Sequence, residues 1–271
     1  MTELRTAEWD HGSHEKFYEY YAKESLGPGA IQRFHAIRDS VLRNDPSKNS
    51  SRPCDIADIG CGAGTQSLLW AELGHRVHGV DVNDPLLNLA RDRARNAGYE
   101  IDFQVGSAVC LPLPDNSMDV CLAVELLEHV ADWRSCLNEF TRILRPNGLL
   151  FLSTTNKLCP FQSEFNLPLY SWYPAPIKRY AERLAVTTQP QLANYAKYPA
   201  VNWFSYYSLR QELSEQFESL DRFDLIDISN KGTAARTVLR SLRALPPLRW
   251  LAHCATEGTA VLARKRNKRP A

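Results

Sequence analysis

The run Glu125-Leu126-Leu127-Glu128-His129-Val130 carries the side chains needed for acid–base or metal chemistry. Two carboxylates and an imidazole can hold a divalent cation or move a proton. If the run forms a helical turn, positions 125, 128 and 129 stand at i, i+3 and i+4 and share one face. Glu128 and His129 are then the candidate catalytic residues, and Glu125, Glu128 and His129 the candidate metal ligands. Plainer work also suits them: His129 can orient a loop and Glu128 can cap backbone donors. His75 and His78 have no carboxylate or cysteine at ligand spacing and read as structural or surface residues.

A second cluster is Asp58-Ile59-Gly60-Cys61-Gly62-Ala63-Gly64, which follows an apolar strand and opens a helix. Glycines allow a tight turn and close approach of a ligand. The helix start offers N–H groups and a positive dipole end. A dinucleotide fingerprint would read GxGxxG, with room for a pyrophosphate. Here the glycines run GxGxG behind an acid, which suits a ligand with a cationic amino-acid end. The second strand ends in Asp81, placed to accept hydrogen bonds from two ribose hydroxyls.

The elements around these residues alternate. Strands are predicted at Cys54–Ile59, Arg76–Val82, Ile101–Val105, Met118–Val124 and Leu149–Thr154. Helices are predicted at Gly64–Leu73, at Pro85–Ala97 with Asp84 as N-cap, and at Trp133–Leu144. Such alternation predicts a parallel sheet covered by helices on both faces. Arg145-Pro146-Asn147-Gly148 reads as a turn with Gly148 at positive φ. Residues 14–43 read as one or two helices, interrupted at Gly27-Pro28-Gly29. Further on, a helix is expected at Leu209–Phe217, and strands at Phe223–Ile228 and Gly258–Ala263.

This combination resembles the class I S-adenosylmethionine-dependent methyltransferases, densely over Cys54 to Asn156. The stretch Val124–Val130 with Ser153-Thr154-Thr155-Asn156 resembles the branch containing the ubiquinone-biosynthesis O-methyltransferases, among the type 11 methyltransferases. The resemblance implies an α/β, Rossmann-like, doubly wound and mostly parallel seven-stranded sheet, with an N-terminal helical cap and an insertion after strand five. It implies that Asp58, Gly60, Gly62 and Gly64 cradle the methionine end of the cofactor. Asp81 would hold the ribose, Val82 would lie beside the adenine, and Val124 would border the cofactor. Many relatives carry an acid after the third strand; here Ser107 takes its place in Ser107-Ala108, and a hydroxyl can still accept a hydrogen bond. In that branch Glu-x-x-Glu-His is associated with a magnesium ion, which would lower the pKa of a phenolic oxygen. Without metal, His129 would be the general base.

One methyltransferase domain of 271 residues is expected: 14–43 helical cap, 54–156 cofactor core, 157–210 aromatic insertion and 211–271 the rest of the sheet with a basic helix. The acceptor is expected to be a small molecule, methylated at a phenol, quinol or sugar hydroxyl. Nucleic acid is disfavoured as substrate, because Thr154-Thr155-Asn156-Lys157 stands where an Asn-Pro-Pro-Tyr motif would. Two alternatives are an NAD-dependent oxidoreductase and a non-catalytic binding protein acting through the aromatic insertion. Phe161, Phe165, Tyr170, Trp172, Tyr173, Trp203, Phe204, Tyr206 and Tyr207 either line an acceptor pocket or build a satellite core.

Charge separates the body from the end. From Asn230 onward there are ten Lys or Arg and one acid, Glu257, against a net +1 for the whole chain. Within 235–251, Arg236, Arg240 and Arg243 share one helical face and Val238, Leu242 and Leu245 another. Such a helix either rests on an anionic membrane or covers the sheet with its apolar face; the second is expected, with Pro246-Pro247 stopping it. Seven cysteines without a CxxC pair argue against a zinc ribbon or redox motif. With no apolar run of spanning length and no secretory start, a cytoplasmic compartment is the expectation.

Overall fold

A computed structural model of the chain describes residues 25–45, 52–193 and 200–267. Residues 14–24 of the expected helical cap lie outside them. The rest of that segment is α1 (Pro28–Asn44), begun by the proline that the sequence offered as an interruption. Pro at the first turn loses only an N–H that has no helical partner anyway. Phe34, Ile37 and Val41 of α1 pack with Ile56, Trp70 and Leu122, so this part is a layer on the sheet.

The elements then run β1 (Asp55–Ile59), α2 (Thr65–Glu72), β2 (Arg76–Asp81), α3 (Asp84–Ala97), β3 (Asp102–Val105), β4 (Met118–Val124), α4 (Trp133–Ile143) and β5 (Leu144–Thr155). They are followed by α5 (Ala175–Thr187), α6 (Tyr206–Leu213), β6 (Phe217–Asp221), α7 (Arg222–Leu225), α8 (Thr233–Ala244), α9 (Pro246–Cys254) and β7 (Gly258–Lys265). The seven strands order β3-β2-β1-β4-β5-β7-β6, with β7 antiparallel to both neighbours and the other pairs parallel. All five residues of β1 are buried, as a strand covered on both faces requires. The strand order reverses between β1 and β4, where open α/β sheets place their ligands.

Apolar clusters occupy both faces. One gathers Ile59, Leu127, Phe140 and Leu152, the other Ile56, Trp70, Leu122 and Phe151. The insertion has a small core of its own, where Phe165 stacks on Tyr170 at 4.0 Å, with Tyr173 and Trp203 against it. Phe204 and Tyr206 join the main core, while Phe161 and Trp172 stay exposed.

Several local expectations are corrected. Asn83 caps α3, its side chain accepting from Leu86 N–H at 3.0 Å, and Asp84 is the first helical residue. The positive φ of the turn before the long part of β5 falls on Asn147. Gly148 is needed for space: a Cβ there would stand 2.9 Å from the Arg145 carbonyl oxygen. The helix expected at 209–217 starts at Tyr206, because Ser205 and Ser208 form a capping box. The strand expected at 223–228 lies at 217–221, since Asp221 caps the turn that follows. The basic segment makes two helices, because Pro246 begins α9 directly after α8. None of α8 is buried, so it does not cover the sheet as expected.

Candidate active site

Gly60, Gly62 and Gly64 all have positive φ, at 71°, 51° and 73°. At Gly64 a Cβ would also stand 2.7 Å from that of Ala90, so helix α3 packs where a side chain would go. The loop amides are consumed inside the protein. Gly60 and Cys61 N–H donate to the Val80 carbonyl at 2.8 and 3.3 Å, and Gly64 N–H donates to Cys61. Gly62 N–H donates to Asp81 Oδ2 at 2.8 Å. These four loop amides are therefore spent inside the protein; the donors expected at the helix start belong to α2, from Thr65 onward.

Asp58 is buried in β1 and accepts from Ser67 Oγ at 2.6 Å. Burial pushes its pKa up to about 6. Asp81 also has its pKa raised by burial, although it accepts from Gly62 and Asn83 N–H. A carboxylate offers about four acceptor sites, so lone pairs remain for ribose hydroxyls. Thr65 Oγ1, Gln66 Oε1 and Asn83 Nδ2 are buried with no hydrogen-bond partner among the described residues. Orphaned polar atoms beside the glycine loop and Asp81 fit a polar, largely enclosed cofactor. Sequence reasoning passed over these three, and adjacency to the loop and the acid was their only signal.

The remaining cofactor candidates are placed less favourably. Ser107 Oγ accepts from Val109 N–H at 3.2 Å, which spends one lone pair on its own turn. The Ala108 side chain is packed into the core near Leu111. Val82 is half-buried after Asp81, and half-buried Val124 packs against the cluster of Ile56.

The Glu-x-x-Glu-His run is not a helix face. Glu125 is left-handed, at φ 52°, and a single turn follows, closed by His129 N–H to the Leu126 carbonyl at 3.0 Å. Glu125 is exposed and accepts from Ser153 Oγ at 2.6 Å. Glu128 is only 1% exposed and accepts from Thr154 Oγ1 at 2.8 Å. Burial, and next the charge of Glu125, push its carboxyl well above the usual carboxylate range. Half-buried His129 follows on the same turn. Among the described residues no three His, Cys, Asp or Glu side chains group to hold a metal ion. With Glu125 bonded to Ser153 and Glu128 to Thr154, no such group forms at this turn, so the trio does not fit the magnesium site that the spacing suggested.

The turn is clasped by the end of the insertion. Val201 and Asn202 N–H both donate to the Glu128 carbonyl. Asn202 Nδ2 donates to the carbonyls of Leu127 at 2.9 Å and Val130 at 2.7 Å. Beside it opens a groove of about 1180 Å³, lined by Ala131, Lys157, Trp172, Tyr173, Lys178 and Trp203, among others. Lys178 sits 4.3 Å from the Trp203 ring centroid, and burial pulls its pKa down to about 8. The clasp and this groove come from a segment whose geometry the sequence left open.

The seven-stranded, mostly parallel sheet with helices on both faces defines a Rossmann-like α/β fold. Residues 57–152 match a family model described as a methyltransferase domain, and the chain is an S-adenosylmethionine-dependent methyltransferase. It is 28% identical over 169 residues to a ubiquinone biosynthesis O-methyltransferase of Rhizobium johnstonii, covering 58% of this chain and 68% of that one. Among solved structures it resembles a Pyrococcus horikoshii protein, with TM-score 0.58, 14% identity and 93% and 100% of the two chains covered. It also resembles an S-adenosylmethionine-dependent methyltransferase from Methanosarcina mazei, with TM-score 0.51, 20% identity and 82% and 96% coverage. These likenesses confirm the fold. The oxidoreductase and non-catalytic alternatives fall with the domain match.

A pH prediction follows from Asp58. Its carboxylate form suits a cationic amine, and with a pKa of about 6 it is mostly protonated at pH 5. The affinity for S-adenosylhomocysteine is expected to fall about tenfold per pH unit below 6. Calorimetric titration between pH 5 and 7 reads this directly, and a flat profile would remove Asp58 from cofactor binding.

Proposed function

We propose that the protein transfers a methyl group from S-adenosylmethionine to an oxygen of a small-molecule acceptor, a phenol, quinol or sugar hydroxyl. The observation carrying the acceptor reading is the aromatic-walled groove beyond β4 and β5, which begins two residues after His129. The relatives named as O-methyltransferases support oxygen as the atom methylated.

When bound, the cofactor supplies an electrophilic methyl group on a sulfonium. The protein's part is to align, exclude water and remove a proton. Asp81 holds the ribose hydroxyls, and Asp58 faces the amino-acid end. His129 takes the proton of the acceptor hydroxyl. Glu128 is a positioning residue: its side chain anchors to Thr154 and its carbonyl to residues 201 and 202.

The test is formation of S-adenosylhomocysteine with catechols, simple phenols and sugars, with magnesium and with a chelator. Transfer to a phenolic acceptor is expected in both conditions. His129→Ala is expected to lower kcat about 100-fold or more, within the usual range for a general base, and to leave cofactor affinity unchanged. Unchanged turnover would demote His129 to a structural role. Loss of turnover on chelation would restore the metal.

A further inference from the structure

The groove beside the Glu128 turn is lined along one side by α5. Ala175, Lys178, Arg179, Glu182, Arg183 and Val186 recur at the spacing of a single helix face. Three of these six are cations and one is an acid, and Lys157 adds a cation from the end of β5. Asp132 is the other acid in the wall. Its carboxylate is engaged by Ser135, accepting from the backbone N–H at 3.2 Å and from Oγ at 2.7 Å. The wall therefore carries four Lys or Arg against two acids, an excess of positive charge.

The polar groups left over are donors. The half-buried Lys178 ammonium donates to the Ser171 carbonyl at 2.8 Å and stands against the Trp203 ring. Both partners are neutral, and no ion pair reaches Lys178 among the described residues. Burying a cation is costly unless an opposite charge meets it. Arg179 and Arg183 are exposed, and neither guanidinium has an ion pair or hydrogen bond among the described residues. One helical turn apart, they suit the oxygens of a carboxylate or phosphate. Trp203 Nε1 is buried with no hydrogen-bond partner among the described residues, and an indole can only donate. The complementary ligand brings acceptor oxygens and negative charge. Trp172, Tyr173, Trp203 and Trp250 in the same wall suit a flat ring.

We propose that the methyl acceptor is an acid: a phenol that also carries a carboxylate or phosphate group, held by Lys178, Arg179 and Arg183. The inference rests on the reading of this groove as the acceptor site. It narrows that reading, because a neutral phenol or sugar would leave the cations unmatched.

The test is calorimetric titration of the full chain, loaded with S-adenosylhomocysteine, with three probes. These are 4-hydroxybenzoate, 4-hydroxyphenyl phosphate and the neutral 4-hydroxybenzamide. At least one anion is expected to bind about tenfold or more tighter than the amide, and to weaken as salt rises. Which anion is preferred separates carboxylate from phosphate. Lys178→Met, and separately the double variant Arg179→Gln, Arg183→Gln, are each expected to cut the anion's advantage about tenfold. Unchanged S-adenosylhomocysteine affinity shows that a variant is folded, and the exposed arginine pair carries the test if Lys178→Met is not. Equal binding of anions and amide, no binding of any probe, or folded variants that keep the preference would each overturn the proposal. Anion preference without transfer to any hydroxyl would uphold the anion site and remove oxygen methylation. Transfer to neutral phenols without anion preference would do the reverse.

Discussion

Asp81→Ala is expected to weaken S-adenosylhomocysteine binding by at least about 100-fold. Two hydrogen bonds to a charged acceptor contribute roughly 1.5–3 kcal/mol each, and 1.4 kcal/mol is tenfold in affinity. The variant also frees Gly62 N–H and Asn83 N–H, which Asp81 now accepts, so the loop loses its tie to β2. Asp81→Asn is the milder variant. It keeps the size and one acceptor oxygen, so one of the two backbone ties, Gly62 N–H to Oδ2 or Asn83 N–H to Oδ1, survives while the ribose loses the charged acceptor. Calorimetry with S-adenosylhomocysteine reads affinity, and thermal melting reads the fold. Micromolar binding retained by the alanine variant would remove Asp81 from the cofactor site.

The largest effect on stability is expected at Asp221. This carboxylate is 0% exposed, yet every lone-pair direction is used. Oδ1 accepts from Phe223 and Asp224 N–H at 2.8 and 3.0 Å. Oδ2 accepts from Arg249 Nε at 2.7 Å and pairs with His253 Nε2 at 2.8 Å. These partners, His253 first and Arg249 next, hold the carboxyl well below the usual range against the opposing effect of burial. Asp221→Ala leaves the buried His253 imidazole without its acceptor and Arg249 with Asp224 alone, at a cost of about 3–5 kcal/mol. The melting temperature is then expected to drop by roughly 10 °C. Because the folded pKa is depressed, this stabilisation is present above about pH 4 and is lost as pH falls toward the folded value. The variant should therefore show a flatter melting curve on the acid side. A drop below about 2 °C would mean that water replaces the network at little cost.

The parts legible in the sequence were those with strong local signals. The glycine loop, Asp81 and the strand–helix alternation of residues 54–156 follow from spacing and periodicity, and the fold expected from them is the one observed. Where two signals competed, the stronger-looking one misled. Phe223-Asp224-Leu225-Ile226 looks more strand-like than Phe217-Glu218-Ser219-Leu220, yet Asp221 caps the former into a helical turn. Gly148 drew the positive φ that Asn147 carries. The Glu-x-x-Glu-His run failed as a helix face because Glu125 is left-handed, a backbone state that its side chain does not announce. The clasp by Asn202 acts across 75 residues to Leu127, so no local pattern could contain it.

The position of β7 has a consequence for how the chain is made. This strand comes about 100 residues after β5, yet it fills the gap between β5 and β6. During synthesis the apolar edge of β5, Leu149 to Thr155, has no partner until Gly258–Lys265 has left the ribosome. At about 5–20 residues per second that interval is roughly 5–20 s. An unpaired strand edge is a template for association with other chains. The growing polypeptide thus spends its most adhesive seconds on one edge, and agents that slow translation or shield nascent strands should govern how much of it reaches the finished sheet.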